Sequence, residues 1–322
     1  MLDSGNRRMR LPFQLLLLAV IAACTQQALH AQDLAPRTYI ITPIHWNAVT
    51  LTYSFSSGDI TTNSAIPITN VTGTLHVPVL NCFHSLKFFG RSANILASLP
   101  YGVVHYQGML EDNERKVYRS GLLDSSFRFS VNLKGGPAMS VKDYLAWKQK
   151  TILGVSLRVV APTGQYDGTK LVNNGANRWA FKPEFGYSER WGHWVLDGYA
   201  AMWFFTTNHE FFSHNAFFPG NQTQSQKPIG SFEGHLSYGL KQQRLWFSLD
   251  GNFWYGGRTS RNGVENISTL QTSSRIGATA SIPLSTHQSL KFSYSDGAYV
   301  RFGGNYQNVS VAWQYSWVGR PN

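Results

Sequence analysis

The sequence predicts an all-β fold, a closed antiparallel transmembrane β-barrel of about twelve strands of the outer-membrane type. Three observations lead to this prediction. Apolar and polar residues alternate with a period of two in segment after segment, as in strands with two unlike faces. Only 14% of the 322 residues are charged, while 14% are aromatic and 29 are glycine; ordinary soluble domains carry about 25% charged residues. The mean hydropathy is −0.22, and no apolar run approaches the roughly 20 residues that a membrane-spanning helix needs.

Residues 1–31 are predicted to be a secretory signal peptide. Three arginines precede the apolar stretch 15–23, which is too short to anchor the chain in a membrane. Cleavage after residue 31 leaves 32–322 as one barrel domain. It lowers the formal net charge from +11 to +9, because three arginines and one aspartate are removed. An alternative is lipidation at Cys24, which ends a lipobox-like Ile-Ala-Ala-Cys sequence. After cleavage at residue 31 only Cys82 remains, so the barrel is expected to fold without an intramolecular disulfide.

The strands are predicted from alternation and from the turn signals between them. In 245–255, for example, Leu245, Phe247 and Leu249 share one face, and Trp246 and Asp250 lie on the other. The twelve predicted strands lie near 46–56, 70–83, 91–105, 118–133, 150–162, 177–190, 193–207, 228–240, 244–256, 270–283, 288–301 and 305–317. An even number of alternating segments of about ten residues, joined by short and long connections in turn, is typical of outer-membrane barrels.

The chemistry of the two faces favours a membrane barrel over a soluble sandwich. Aromatic residues concentrate toward strand ends, as interfacial girdles require; they include Trp191, Trp194, Trp203, Phe204, Phe205, Trp254, Tyr255, Tyr315 and Trp317. The polar face carries a charge on nearly every strand, and in a closed barrel this face becomes the lumen. The candidate lumen-lining residues are Arg128, Arg158, Lys182, Glu184, Asp197, Glu233, His235, Asp250, Arg275 and Lys291.

These lumen charges have two interpretations, which both remain open. They could form salt-bridge networks that hold the barrel shape, because a buried charge needs a partner. They could also act as an electrostatic filter for solutes, as rings of charge do in pores. The basic residues Arg158, Lys182, Arg275 and Lys291 would favour anionic solutes such as aromatic carboxylates.

Several stretches spread over nearly the whole mature chain carry a family resemblance: Pro36–Tyr39, Phe89–Ala93, Leu99–Gly102, Ala161–Asp167, Leu171–Asn173, Asn177–Gly186, Trp203–Asn208, Gly256–Thr259 and Ala312–Tyr315. With these stretches the chain resembles a bacterial family named for the meta-cleavage pathway of phenol degradation. The resemblance implies an outer-membrane β-barrel with a transporter-like role. The C-terminus departs from the usual pattern of such barrels, because five residues follow the aromatic Trp317.

No sequence motif predicts an enzyme, a metal site or a cofactor. His209 and His214 flank a glutamate, but their spacing is one residue longer than the zinc-binding helix motif requires. A membrane-embedded lipase is an alternative, since it too can be a twelve-stranded barrel, and it would need a serine within hydrogen-bonding reach of a histidine. His235 and Ser237 share a strand face, although side chains at this spacing usually point past each other.

The function predicted from these features is passive uptake of small solutes, aromatic or anionic ones among them, across a Gram-negative outer membrane. Loops 106–120 and 208–226 are candidates to constrict the lumen, and the inward Trp246 and Trp254 suggest either a plugged interior or an apolar niche. The alternative is a non-conducting barrel with a structural or surface-binding role. The expected partners are outer-membrane lipid and lipopolysaccharide, the barrel-assembly machinery and the solute. The scattered basic charges give no sign of nucleic-acid binding.

Overall fold

The structure is a computed structural model that describes residues 34–61, 68–110, 113–216, 218–240 and 244–319. The predicted signal peptide and Cys24 therefore lie outside the described residues. The strands are β1 (Trp46–Thr61), β2 (Ile68–Phe88), β3 (Arg91–Leu110), β4 (Asn113–Leu122), β5 (Ser126–Lys134), β6 (Thr151–Val160), β7 (Ala180–Trp191), β8 (Trp194–Phe205), β9 (Gln224–Gln226), β10 (Ile229–Leu240), β11 (Leu245–Gly256), β12 (Thr259–Arg261), β13 (Val264–Asn266), β14 (Gln271–Pro283), β15 (Gln288–Val300) and β16 (Gly303–Val318). The described part also contains helix α1 (Val141–Ala146) and a 3-10 helix (Ile267–Thr269). Both are far shorter than a membrane-spanning helix must be.

The wall is a closed antiparallel barrel, as predicted. β1 pairs with β16 along its whole length, from Trp46 opposite Val318 to Thr61 opposite Gly303, and this pairing closes the sheet. β4 and β5 both pair with β3 and together form one wall strand. The wall therefore has twelve strands, and β9, β12 and β13 form a separate three-stranded sheet.

The two ends of the barrel differ in their connections. At the terminal end, where β1 begins and β16 ends, β2 and β3 are joined by the two residues Phe89 and Gly90. The opposite end, called the loop end below, carries the long connections 161–179, 206–228 and 257–270. The prediction of a loop at 106–120 was wrong, because β3 and β4 continue as a paired hairpin from Tyr106 opposite Val117 to Leu110 opposite Asn113. Continued pairing gives these backbone groups hydrogen-bond partners beyond the core of the barrel.

Alternation assigns the outer face to apolar side chains and the inner face to polar ones. Leu249 and Phe253 of β11 are 68% and 47% exposed on the outside, whereas Asp250 is buried inside. The girdle prediction was wrong for Trp203, Phe205 and Trp254, which point into the barrel and belong to one cluster there. Each lies an even number of residues from an inward polar side chain of its own strand, and strand parity therefore points it inward.

The N-terminal segment, residues 34–45, enters the barrel before β1 starts. Tyr39 is buried, and its ring lies against Gly154 of β6 and Gly186 of β7. These two glycines are directly opposite each other in the β6–β7 pair. A Cβ atom at either position would collide with the Tyr39 ring, so the paired glycines form a notch that seats the N-terminal segment.

Candidate functional site: the barrel lumen

The lumen consists of two unlike parts. The packed half is formed by the inner faces of β6, β7, β8, β10 and β11 with the N-terminal segment, and its side chains fill the interior. The open half is formed by the inner faces of β1, β2, β3, β15 and β16, and it borders a cavity of about 450 Å³.

A lysine held by two glutamates lies at the centre of the packed half. Lys182 Nζ is 2.9 Å from Glu184 Oε2 and 3.0 Å from Glu233 Oε1. All three side chains are less than 10% exposed. Because a buried charge is costly without a partner, each member of this triad depends on the others.

A second polar cluster surrounds Asp250. One carboxylate oxygen contacts His235 Nδ1 at 2.8 Å and accepts a hydrogen bond from Ser248 Oγ at 2.6 Å. The other accepts from Thr279 Oγ1 at 2.7 Å. His235 Nε2 lies 3.7 Å from Glu233 Oε2, so the imidazole bridges this cluster and the lysine triad. The carboxylate is thus fully engaged by its neighbours in the wall.

The N-terminal segment is tied into the same network. The Tyr39 hydroxyl is 3.0 Å from Glu184 Oε1 and 3.1 Å from Ser156 Oγ. The backbone N–H of Arg37 donates to Asp197 Oδ2 at 3.1 Å, and its guanidinium lies 4.8 Å above the Trp246 ring. The inward tryptophan therefore belongs to a plugged interior rather than to a vacant apolar niche.

The cavity of the open half is lined mainly by short side chains. Ser54, Ser310 and Ser293 lie directly opposite one another on the adjacent strands β1, β16 and β15, and they form a row of hydroxyls along its wall. Aliphatic side chains, Val77 and Val79 among them, come from β2. The cavity thus combines hydroxyl and aliphatic surface, which suits small amphipathic molecules.

The charged side chains that line the cavity are three cations and two carboxylates: Arg158, Arg275, Lys291, Asp124 and Asp250. Arg275 donates to Ser295 Oγ at 2.9 Å and to the Tyr306 carbonyl at 2.7 Å. Asp124 accepts from the backbone N–H groups of Gly164 and Ala176, both at 2.8 Å. Both carboxylates are therefore satisfied by the protein, and the charge facing the cavity is positive in balance.

The loop 161–179 covers the cavity at the loop end, where Val172–Ala176 join the lining. Its fold is fixed by Asp167, which accepts from Thr169 Oγ1 at 2.6 Å and pairs with Lys170 Nζ at 2.9 Å. The hydrogen bond from Thr169 and the charge of Lys170 lower the pKa of Asp167 to about 2. No described residue of loop 208–226 lines the cavity, so the prediction that this loop constricts the lumen was wrong. It packs instead on loop 161–179, through Phe211 and Phe212 against Leu171.

The ten predicted lumen residues all lie on inward positions of wall strands, but they divide between the two parts. Arg158, Asp250, Arg275 and Lys291 line the cavity. Lys182, Glu184, Asp197, Glu233 and His235 lie in the packed half. Arg128 lies between Leu96 and Arg158, its register partners on β3 and β6. Lys182 does not contribute to the cavity, contrary to its prediction as part of a basic filter, because the two glutamates hold it within the wall network.

Sequence reasoning missed Leu34 and Val172–Ala176 as lining residues. The asparagine and glycine residues of Val172–Ala176 identify this segment as a loop, but no periodicity in the sequence shows that the loop folds back over the lumen.

The other candidate histidines contact a backbone carbonyl and a carboxylate. His214 Nδ1 lies 3.2 Å from the Pro219 carbonyl, and the described residues contain no group of three potential metal ligands. His235 contacts Asp250 rather than Ser237, which is completely buried. Cys82 is exposed on the outer face of β2.

Comparison with known proteins places this architecture among bacterial barrels. Residues 54–311 match the family described as "Putative MetA-pathway of phenol degradation". An outer membrane channel from Pseudomonas putida F1 is similar in structure, with a TM-score of 0.73, 16% identity, and coverage of 88% of this chain and 100% of that one. The transport unit of the autotransporter AIDA-I from Escherichia coli has a TM-score of 0.51 and 11% identity, over 94% and 98% of the two chains. The β domain of the Bordetella autotransporter BrkA has a TM-score of 0.48 and 12% identity, over 85% and 100%. No curated protein matches the sequence.

Proposed function

We propose that this chain, which belongs to the phenol-degradation MetA-pathway family, is an outer-membrane channel for passive uptake of small aromatic or anionic solutes. The observation that carries the proposal is the cavity of about 450 Å³ inside a closed wall. A twelve-stranded barrel is wider than the small barrels that side chains fill completely. The short side chains of the open half leave this extra space vacant.

The lining accounts for the proposed solute class. Valines of β2 provide apolar contact for a ring, and the serine row offers hydrogen bonds. Arg158, Arg275 and Lys291 provide positive charge, while the carboxylates of Asp124 and Asp250 are engaged by the protein. A small carboxylated aromatic matches this combination of surfaces.

The mechanism is diffusion down a gradient, with the terminal end toward the periplasm, because its connections other than 135–150 are short and short turns face the periplasm in outer-membrane barrels. A solute entering from the loop end meets Val172–Ala176 first and then the cationic wall. The cations lower the free energy of an anion inside the lumen. No step requires a covalent bond or an energy source.

Reversal potentials in a planar bilayer test the proposal directly. The mature protein in a salt gradient should prefer anions, and benzoate should reduce its single-channel current. The variant R158Q/K291Q should shift the reversal potential toward cations. The matched control K116Q removes a lysine that is 67% exposed and paired with Glu114, and it should leave selectivity unchanged. Cation preference in the wild type would contradict the proposed solute class.

A second candidate is a non-conducting barrel with a structural or surface-binding role. The N-terminal segment favours it, because Tyr39 and Arg37 occupy the lumen and are bonded to the wall. A folded, heat-modifiable protein that never produces conductance steps would support this alternative and would contradict the channel proposal.

A further inference from the structure

Six cations crowd one sector of the rim at the terminal end. This basic rim consists of Lys87, Arg91, Lys134, Lys142, Lys148 and Lys150, all exposed. Within 87–92 and 134–150 the one carboxylate is Asp143, which bonds to the N-cap residue Ser140 of helix α1. Among the described residues, no carboxylate lies within ion-pair distance of any of the six cations.

The cations at the loop end are arranged differently. Lys116 pairs with Glu114 at 3.1 Å and Lys170 with Asp167 at 2.9 Å. Lys227 and Arg258 both pair with Glu265, at 2.6 and 3.2 Å. These four cations at the loop end are thus compensated by neighbouring carboxylates, whereas the basic rim leaves its charges available to an external anion.

Backbone contacts hold the parts of the basic rim together. The Ala138 N–H donates to the Gly90 carbonyl at 3.1 Å, and the Ser92 N–H donates to the Gly136 carbonyl at 2.9 Å. These bonds fix the β2–β3 turn against the segment that leads into helix α1. The cations of both segments therefore lie on one continuous surface.

An exposed aromatic side chain marks where this surface meets the membrane. Phe89 is 90% exposed, and its ring lies 4.7 Å from that of Phe88, which in turn is 5.4 Å from Phe129 on the outer wall. Phe89 and Gly90 both have positive φ, at 46° and 78°, as in the two-residue hairpin turns that favour Asn-Gly. The positive φ of Phe89 disfavours a residue with a bulky side chain, and exposure of its ring to water is unfavourable as well. A phenylalanine in this position becomes favourable when the ring enters a lipid interface, where aromatic residues are enriched.

We propose that the basic rim and Phe89 form a binding site for the headgroups of anionic phospholipids in the periplasmic leaflet. The charge complementarity and the continuity of the Phe89–Phe88–Phe129 cluster with the lipid-facing wall identify a lipid rather than a soluble protein as the occupant. Each lysine or arginine near an anionic membrane surface contributes attraction of about fivefold in binding. The rim fixes the height and rotation of the barrel in the membrane through headgroup contacts.

Native mass spectrometry of the mature protein tests this site. Protein exchanged into mixed micelles containing phosphatidylglycerol and phosphatidylcholine should retain phosphatidylglycerol preferentially, by about tenfold or more. The variant K134Q/K142Q/K148Q removes three of the six cations and should lower the retained ratio by about fivefold or more. The control K116Q/K170Q/K227Q removes the same number of charges at the loop end and should keep the wild-type ratio. Heat-modifiable migration in gel electrophoresis verifies that both variants are folded.

Three outcomes would overturn the proposal. A wild-type protein without preference for phosphatidylglycerol would do so even if the rim variant failed to fold. Equal loss of preference in the rim and control variants would show a general effect of charge. Displacement of the lipid by inorganic phosphate as readily as by phosphatidylglycerol vesicles would show an anion site without lipid specificity.

The variant Phe89→Ser tests the aromatic part of the site. With all six cations intact, it should retain less phosphatidylglycerol than the wild type. An unchanged ratio would show that the ring is not part of the site.

Discussion

The packed and open halves of the lumen are built from strands with the same alternation of inward and outward side chains, yet inward side chains fill the space only in the packed half. In the packed half, long charged and aromatic side chains such as Lys182, Glu233 and Trp203 reach across the interior and bind one another. In the open half, the inward positions beside the cavity carry mainly serine, threonine and valine, whereas Tyr106 and Tyr306 are packed in a buried cluster toward the loop end of the same strands. The size of the inward side chains, rather than the strand number, decides where this barrel holds space.

The comparison also explains why the charges are distributed unevenly. Glu184, Glu233 and Asp197 each contact a donor from the wall or from the N-terminal segment, and these contacts offset the cost of their burial. The cavity in the open half lets solvent reach Lys291, which is exposed. Charge in the packed half therefore stabilises the barrel, whereas the cavity has a cationic group that faces a solute.

The same substitution made in the two halves should change two different properties of the barrel, conductance in the open half and stability in the packed half. Ser310→Trp places an indole in the cavity, so we expect single-channel conductance to fall by about half or more while the free energy of unfolding stays unchanged. Ser188→Trp enters a fully buried position of the packed half, where overpacking should destabilise the barrel by about 1–3 kcal/mol. Bilayer recordings and urea unfolding in lipid vesicles measure both quantities. Equal destabilisation by the two tryptophans would contradict the division of the lumen.

Removal of the central cation tests the packed half alone. Lys182→Met leaves Glu184 and Glu233 without their shared lysine, and we expect a loss of about 3 kcal/mol in the free energy of unfolding. The additional substitution Glu233→Gln should recover part of it, because it removes one of the two unpaired charges. The control Lys116→Met breaks an exposed pair and should cost less than about 1 kcal/mol. If the two lysine variants were equally stable, the triad would have no special structural role.

The smallest expected effect concerns the loop that covers the cavity. The pKa of Asp167 is lowered to about 2 in the folded loop, so its ionised form is stabilised relative to the unfolded chain, in which the pKa of aspartate is about 3.9. This contribution is fully present above pH 4 and is lost as the pH falls toward 2. Hydrogen exchange of the loop, normalised to the variant Asp167→Asn, should show protection that disappears over this range. A difference between the two proteins that does not depend on pH would contradict the assigned role of the carboxylate.

The fold and the composition of the inner face follow directly from local sequence. Alternation assigns Asp250 and Arg275 to one face and Leu249 and Ile276 to the other without any knowledge of their neighbours, because side-chain direction in a strand has a period of two. The twelve wall strands match the predicted segments in order, but turn signals do not place every strand end, since β3 continues to Leu110 beyond the predicted segment 91–105.

What the tertiary structure alone decided is which inward side chains meet. Lys182 and Glu233 are far apart in sequence and come together only through barrel closure and register, and no pattern in the sequence records that contact. The N-terminal segment carries no strand periodicity, so its place in the notch of Gly154 and Gly186 could not be predicted either. Both features depend on long-range packing, and packing separates the four lumen residues that line the cavity from the five that lie in the packed half.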